Sequence, residues 1–387
     1  MWYFTSPQIV FGEGALEELG RLDGRKAFVV TDATLSKTNL LPLIGGHLAK
    51  AGLKMDVFDG VEPDPSVQTV KTGAELVRKS NPDWIVGMGG GSAMDVAKAI
   101  WVLYERPDLE PADINPFIHL GLRKKARLVT IPTTSGTGAE VTWIMVLTDT
   151  EQKRKMGLGN RENVADIAIV DPEMAKGMPP KLTADTGMDA LTHAVEGYTC
   201  NWHSDLTDGL CMKAARQVFE FLPRAVADGS DMEARERMHN AATCAGLGFG
   251  NSMASLAHAM GHALGAVFHI PHGRAVSLFL PYTVEFAAMT IPERYAELAA
   301  TLGFAKEKPG EAALSMAEKV RNLGQKIGNP TSVSEAGVRR QDYEMQMDKL
   351  MDDAFNDTQM VTAPRAPTYE DLRQIYLYAY DGRSIDF

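Results

Sequence analysis

Asp189 and His193, in Asp189-Ala-Leu-Thr-His193, stand four residues apart, which on a helix turns both side chains to one face. A run of histidines follows in His258-Ala-Met-Gly-His262-Ala-Leu-Gly-Ala-Val-Phe-His269-Ile-Pro-His272-Gly273. One carboxylate and three imidazoles, drawn from Asp189, His193, His258 and His272, suit a borderline divalent ion such as Fe(II), Zn(II) or Mn(II). Four ligands leave positions open on an octahedral ion, so a substrate oxygen could bind, as a catalytic rather than a closed structural site requires. The bland alternative is a plain helix pair worth a few tenths of a kcal/mol. His269 competes with His272 for the last ligand position. His262, one turn after His258, could be a fifth ligand, a proton relay or packing.

Two glycine- and hydroxyl-rich loops offer a second kind of chemistry. Gly87-Met-Gly89-Gly90-Gly91-Ser92-Ala-Met-Asp95-Val-Ala-Lys98 follows a strand signal and opens a helix. Consecutive glycines let backbone approach a pyrophosphate, and the N–H groups of the helix start meet its charge. A tight strand-to-helix turn would use the same residues. The spacing is not the G-x-G-x-x-G fingerprint of the ordinary dinucleotide fold. Ile131-Pro-Thr133-Thr134-Ser135-Gly136-Thr137-Gly138-Ala-Glu140 is the second loop; it could hold phosphate and ribose groups, or satisfy only its own backbone. Two such loops in one sheet favour a dinucleotide. Asp32 ends the first strand signal, where a carboxylate could accept from an adenosine ribose and repel a 2′-phosphate, favouring NAD over NADP. It could equally be a turn or cap aspartate.

These residues need a scaffold, and the first 180 positions supply an alternating one. Apolar β-rich runs at Ala27–Thr31, Met55–Phe58, Trp84–Met88, Leu128–Ile131 and Ile167–Val170 are separated by helical stretches, one capped by Ser66 and running to about Ser80. Such alternation predicts a parallel sheet covered on both faces. After Pro179-Pro180 the spacing becomes helical, over about 185–200, 204–227, 230–248, 251–268, 292–303 and 309–328. The expected organisation is an α/β nucleotide-binding domain over 1–180 and an all-helical metal-binding domain over 181–387.

The bulk properties bound the function. The 387 residues exceed one small core, and 45% apolar with 23% charged residues is ordinary for a globular enzyme. A net charge of −11 argues against a nucleic-acid surface. No stretch approaches a membrane span and the first residues carry no signal-peptide pattern. Cys200, Cys211 and Cys244 lack paired metal or redox spacing, so free thiols in a reducing cytoplasm are expected.

Together the motifs resemble the iron-dependent (group III) alcohol dehydrogenases, which include lactaldehyde reductase, 1,3-propanediol dehydrogenase and butanol dehydrogenases. The specific pieces are Gly89–Lys98, Ile131–Glu140, Gly187-Met-Asp189-Ala-Leu-Thr-His193-Ala-Val-Glu196, and His258 with Pro271-His272-Gly273. The resemblance spans essentially the whole chain. It implies a dehydroquinate synthase-like fold with the active site in a cleft between the domains. By position, Asp189, His193, His258 and His272 match the family's metal ligands, which leaves His269 to the cleft wall and His262 as the extra catalytic histidine. Gly89, Gly90, Gly91, Ser92, Asp95, Thr133, Thr134, Thr137 and Lys155 match its cofactor contacts, and Asp32 the position that favours NAD over NADP. Trp143, Ile144, Phe249 and Phe355 fall near its substrate pocket. Three departures concern substrate identity: Ala363-Pro364-Arg365 stands where Asn-Pro-Arg is usual, a cysteine common in the preceding stretch is missing, and Ile144 beside Trp143 stands where lactaldehyde reductase has a polar pocket residue.

The implied activity is NAD-linked reduction of short aldehydes, or oxidation of short primary alcohols or diols, at Fe2+ with Zn2+ as the other candidate. A homodimer or larger homo-oligomer is expected, with no nucleic-acid or membrane partner. A zinc polyol dehydrogenase of the glycerol type usually has three protein ligands, and His193 as a fourth argues against it. A dehydroquinate-synthase-like lyase needs a Lys/Arg set for a phosphorylated acid, which the region 189–272 lacks. A non-catalytic NAD-binding regulator would not need the intact ligand set.

Overall fold

The computed structural model describes residues 3–150 and 154–387, the side chain of Arg154 excepted. They form two compact units, Met1–Thr134 with Gly138–Gly177, and Ser135–Thr137 with Met178–Phe387. The second glycine-rich loop is therefore divided, its Ser135–Thr137 segment going with the second unit.

The first unit is built on a six-stranded sheet of β1 (Gln8–Phe11), β2 (Lys26–Asp32), β3 (Lys54–Val61), β4 (Trp84–Gly89), β5 (Arg127–Pro132) and β8 (Ile167–Val170). Its order is β1-β8-β5-β4-β2-β3, and every pairing is parallel. The central strands β4 and β8 are buried at every residue, as a sheet covered on both faces demands. α1 (Leu40–Lys50), α2 (Val67–Ser80) and α3 (Gly91–Glu105) make the crossovers. Ser66 caps α2, its hydroxyl accepting from Thr69 N–H at 3.1 Å. Two features escape the sequence reading. β1 is a four-residue edge strand, and β6 (Ile144–Asp149) with β7 (Arg154–Gly159) forms a separate antiparallel hairpin.

A buried cation ties the hairpin to α3. Lys98, fully buried, donates from Nζ to the Ile144 carbonyl at 2.9 Å, and Val146 N–H donates to Asp95 Oδ2 at 2.9 Å.

The regular elements of the second unit are all helices among its described residues. α4 (Pro172–Ala175) precedes it; α5 (Pro180–Thr199), α6 (Asp205–Ala227), α7 (Met232–Asn251), α8 (Leu256–Phe268) and α9 (His272–Ala287) form its centre. α10 (Pro292–Thr301), α11 (Pro309–Lys326), α12 (Arg340–Met345), α13 (Met347–Phe355) and α14 (Tyr369–Asp381) complete it. The expected helix over 251–268 starts only at Leu256, and α9 was not anticipated. Small residues let the central helices approach closely. A Cβ on Gly261 of α8 would lie 2.5 Å from Val276 Cα of α9, and one on Gly273 of α9 would collide with the Asp185 carbonyl of α5.

Candidate metal centre and cofactor loops

Asp189 and His193 lie one turn apart on α5, with 1% and 4% of their surface exposed. His258 comes from the first turn of α8, and His272 opens α9. Gly273 and Gly261 allow these three helices to meet, so residues 83 positions apart in sequence converge. One donor atom from each of the four lies within 4.8 Å of all the others. Asp189 Oδ1 is 3.9 Å from His193 Nδ1, 4.0 Å from His258 Nε2 and 3.5 Å from His272 Nε2. Two donors that each sit about 2.1 Å from one ion are separated by about 3–4 Å, whereas hydrogen bonds are shorter.

The electrostatics favour a cation here. Asp189 Oδ1, His193 Nδ1 and His258 Nε2 are buried without a hydrogen-bond partner, a concentration that folded proteins rarely keep. Desolvation pushes the Asp189 carboxyl up to about 8, because no cationic side chain compensates it. Burial, then the neighbouring His262, pushes His258 down to about 3. Burial first, and then His258, holds His193 well below the usual imidazole range. Neutral imidazoles are the form that ligates metals. A divalent ion fits this donor set: it would engage the orphaned atoms and supply the missing positive charge.

A second layer of contacts orients the rings. His193 makes a hydrogen bond to the Gly136 backbone, and its ring stacks on Phe249 at 3.9 Å between centroids. His258 Nδ1 lies 2.5 Å from Glu196 Oε2. His262 has its ring 5.8 Å from that of His258 and 5.3 Å from that of His272, and its Nδ1 is 2.8 Å from Asp357 Oδ2. Asp357 also accepts from Gln359 N–H at 2.8 Å, so it is fixed by the short 3-10 turn Thr358–Thr362 that it caps. Neither Glu196 nor Asp357 received a role from the sequence. For Glu196 a signal existed, its position seven residues after Asp189 on the same helical face. Asp357 lies 95 residues from His262 and gave none. His269 is exposed at the end of α8 and outside the cluster. Phe355 is 48% exposed and packs edge-on against Tyr369.

The first unit carries the other loops. Gly89 has φ +153°, and a Cβ there would lie 2.6 Å from Ala93 Cβ, so the turn from β4 into α3 requires glycine. Gly90 caps α3, with Gly91 and Ser92 as the first helical residues. A Cβ on Gly90 would point at the Thr134 side chain, 3.6 Å away, and Thr133 N–H donates to the Gly89 carbonyl at 2.9 Å. The two loops therefore lie side by side, with the α3 N-terminus between them and able to receive an anion. Asp32 divides its oxygens. Oδ1 accepts from Thr34 and Leu35 N–H at 2.8 and 3.0 Å, and Oδ2 faces Gly89. Asp95 is engaged by Val146 and Lys98, and Lys155 Nζ by Asp64 Oδ1 at 2.6 Å. The Trp143 ring lies against Gly159, and Ile144 opens β6. Thr137 belongs to the second unit.

Residues 6–172 match the family described as iron-containing alcohol dehydrogenase, and residues 183–380 match the C-terminal part of the Fe-containing alcohol dehydrogenase family. The chain is 42% identical over 390 residues to the NADPH-dependent butanol dehydrogenase of Clostridium saccharobutylicum, covering 100% of both. It is 37% identical over 418 residues to the bifunctional aldehyde-alcohol dehydrogenase of Escherichia coli K12, covering 99% of this chain and 46% of that protein. The crystal structure of a 1,3-propanediol oxidoreductase superimposes with a TM-score of 0.93 at 33% identity, covering 98% of this chain and 100% of that one.

Proposed function

The chain belongs to the iron-containing alcohol dehydrogenase family, and we propose that it interconverts short primary alcohols or diols and their aldehydes, using NAD and a divalent ion, Fe2+ in preference to Zn2+, held by Asp189, His193, His258 and His272. The observation that carries this reading is the cluster of those four side chains, their donor atoms within 4.8 Å and several of them orphaned in the interior. When bound, the ion would polarise the carbonyl and hold the charge developing on its oxygen, while the nicotinamide would supply or accept the hydride.

The protein's own contribution is orientation, dryness and proton handling. Glu196 and the Gly136 backbone hold the His258 and His193 rings, and Phe249 covers one face of His193 against water. His262, its Nδ1 anchored on Asp357, presents Nε2 as a site that gives or takes the hydroxyl proton. Gly89, Gly90, Gly91 and Ser92 offer backbone N–H groups to a pyrophosphate, with Thr133 and Thr134 beside them. Asp32 Oδ2 supports a ribose contact and hence NAD, even though the clostridial relative is NADPH-dependent. Asp95 and Lys155 of the first unit and Thr137 of the second are proposed as further cofactor contacts, and Trp143, Ile144, Phe249 and Phe355 as residues that shape specificity for small apolar chains. The chain works as a homo-oligomer in the cytoplasm; the edge strand β1, which ends in Phe11, 68% exposed, and the free thiols of Cys200, Cys211 and Cys244 support that reading. No helix among the described residues is long and apolar enough to cross a membrane.

The test is anaerobic purification, elemental analysis, and an NADH and NADPH assay across C2–C4 aldehydes. Close to one ion per chain, with turnover lost on chelation and restored by Fe2+, is expected. Full turnover in metal-free protein would refute the reading.

A further inference from the structure

We propose that Glu196 is the positioning carboxylate of the metal centre: it clamps the turn that carries His258 and fixes Nε2 as the atom His258 offers to the ion. The inference rests on the metal-dependent reading above. Glu196 lies three residues after His193 and seven after Asp189, so α5 directs two ligands and this carboxylate to one face. It is 3% exposed. Oε2 is 2.5 Å from His258 Nδ1 and accepts from Ser255 N–H at 2.9 Å, while Oε1 accepts from Ala257 N–H at 2.6 Å.

Three of these contacts fall on residues 255–258, where the chain enters α8. One carboxylate thus holds both the backbone and the ring of the same ligand. The consequence for the ring is chemical. With the Nδ1 proton committed to Glu196, the lone pair sits on Nε2, the nitrogen that faces Asp189 and has no partner in the protein. A charged acceptor at Nδ1 also makes Nε2 a better donor, the usual effect of an outer carboxylate on a ligating histidine. Burial disfavours the ionised form of both Asp189 and Glu196, and a divalent ion would offset the two negative charges they carry once ionised.

The test compares Co2+ and Zn2+ affinity, by chelator competition, in wild type, Glu196→Gln, His258→Ala and the double variant. Glu196→Gln is expected to weaken binding by about 10–100-fold and to shift the visible Co2+ spectrum. In the His258→Ala background the same substitution should change affinity less than about two-fold, because the ring it acts through is gone. Wild-type affinity in folded Glu196→Gln, or losses that add in full, would overturn the proposal. If the glutamine variant does not fold, 15N NMR of Zn2+-loaded wild type decides. A His258 ring protonated on Nδ1 and metal-bound through Nε2 is expected, and coordination through Nδ1 would overturn it. A wild type that takes up neither ion would instead remove the metal reading on which the proposal stands.

Discussion

Replacing Asp189 by asparagine should stabilise the metal-free protein while abolishing its metal binding. The carboxyl is pushed from its ordinary value of 3.8 up to about 8 by burial alone. Between those values the folded chain binds a proton that the unfolded chain has released, so the stability of metal-free protein falls as pH rises through that window. At pH 7 the span from 3.8 is about three units, or roughly 4 kcal/mol at about 1.4 kcal/mol per unit. Asparagine removes that penalty but buries an incompletely paired amide, which costs about 1–3 kcal/mol. The net gain at neutral pH is therefore about 1–3 kcal/mol. The assay is thermal unfolding of chelator-treated wild type and variant from pH 4 to 9. The advantage of the variant should be smallest at pH 4, grow through neutrality and level off above about 8. With Zn2+ at a thousandfold excess over its Kd the order should reverse, since only wild type gains the roughly 4 kcal/mol of binding linkage. A pH-independent difference, or equal stabilisation of both proteins by the ion, would refute the reasoning.

Asp32→Gly should raise the NADPH/NADH ratio of kcat/KM by about tenfold or more, because it removes the charge that opposes a 2′-phosphate; an unchanged ratio would contradict that role. His272→Ala should lose metal and turnover while still binding NADH, whereas His269→Gly should keep both and gain about 1 kcal/mol of stability, since His269 sits at φ +54° where a side chain is strained. Metal analysis and differential scanning calorimetry of the two variants check the contrast. Asp357→Ala should lower kcat by about 10–100-fold with metal content and KM nearly unchanged, because it frees His262 from its 2.8 Å anchor. Loss of metal in that variant would mean that Asp357 supports the cluster rather than the proton site.

The parts of the structure most legible in the sequence are those governed by local rules. Ser66 caps α2 as its position before a helical run requires, and the five apolar runs sit within β2, β3, β4, β5 and β8. What was lost is what tertiary contact decides. β1 has only four residues, half-exposed to exposed, and becomes a strand because β8 pairs with it. The β6–β7 hairpin is clipped to α3 by Lys98, which received no role from the sequence, and by Asp95, which the resemblance assigned to the cofactor. The sixteen residues of α9, with Pro281 in the middle, were not among the helical runs read from the sequence, although the run over 204–227 was read through Pro223. The ligand residues could be nominated by type, and the resemblance selected among them. Of their outer partners, Glu196 shares the helical face of Asp189 and His193 and so left a local signal, whereas Asp357 could not be assigned, because a hydrogen bond spanning 95 residues leaves no periodic trace.

The separation of His258 from His272 explains why spacing alone could not choose between His269 and His272. Fourteen residues of continuous helix would carry the chain about 21 Å away, yet the two rings lie 5.7 Å apart. The chain leaves α8 through His269 in the left-handed conformation and then runs back along the helix it has just completed. A Cβ on Gly265 would lie 3.1 Å from the Ile270 carbonyl, and one on Gly261 2.5 Å from Val276 Cα, so the return path is pressed against two glycines. That path brings His272 level with His262, where the rings stack at 5.3 Å, and Gly273 then lets the start of α9 close onto α5 beside Asp189. His269 is spent on the reversal, and its ring is left in solvent. A methyl group on Gly261 would have to push α9 away from α8 and would carry His272 with it, so the absence of a side chain there is as much a part of the metal chemistry as the imidazoles themselves.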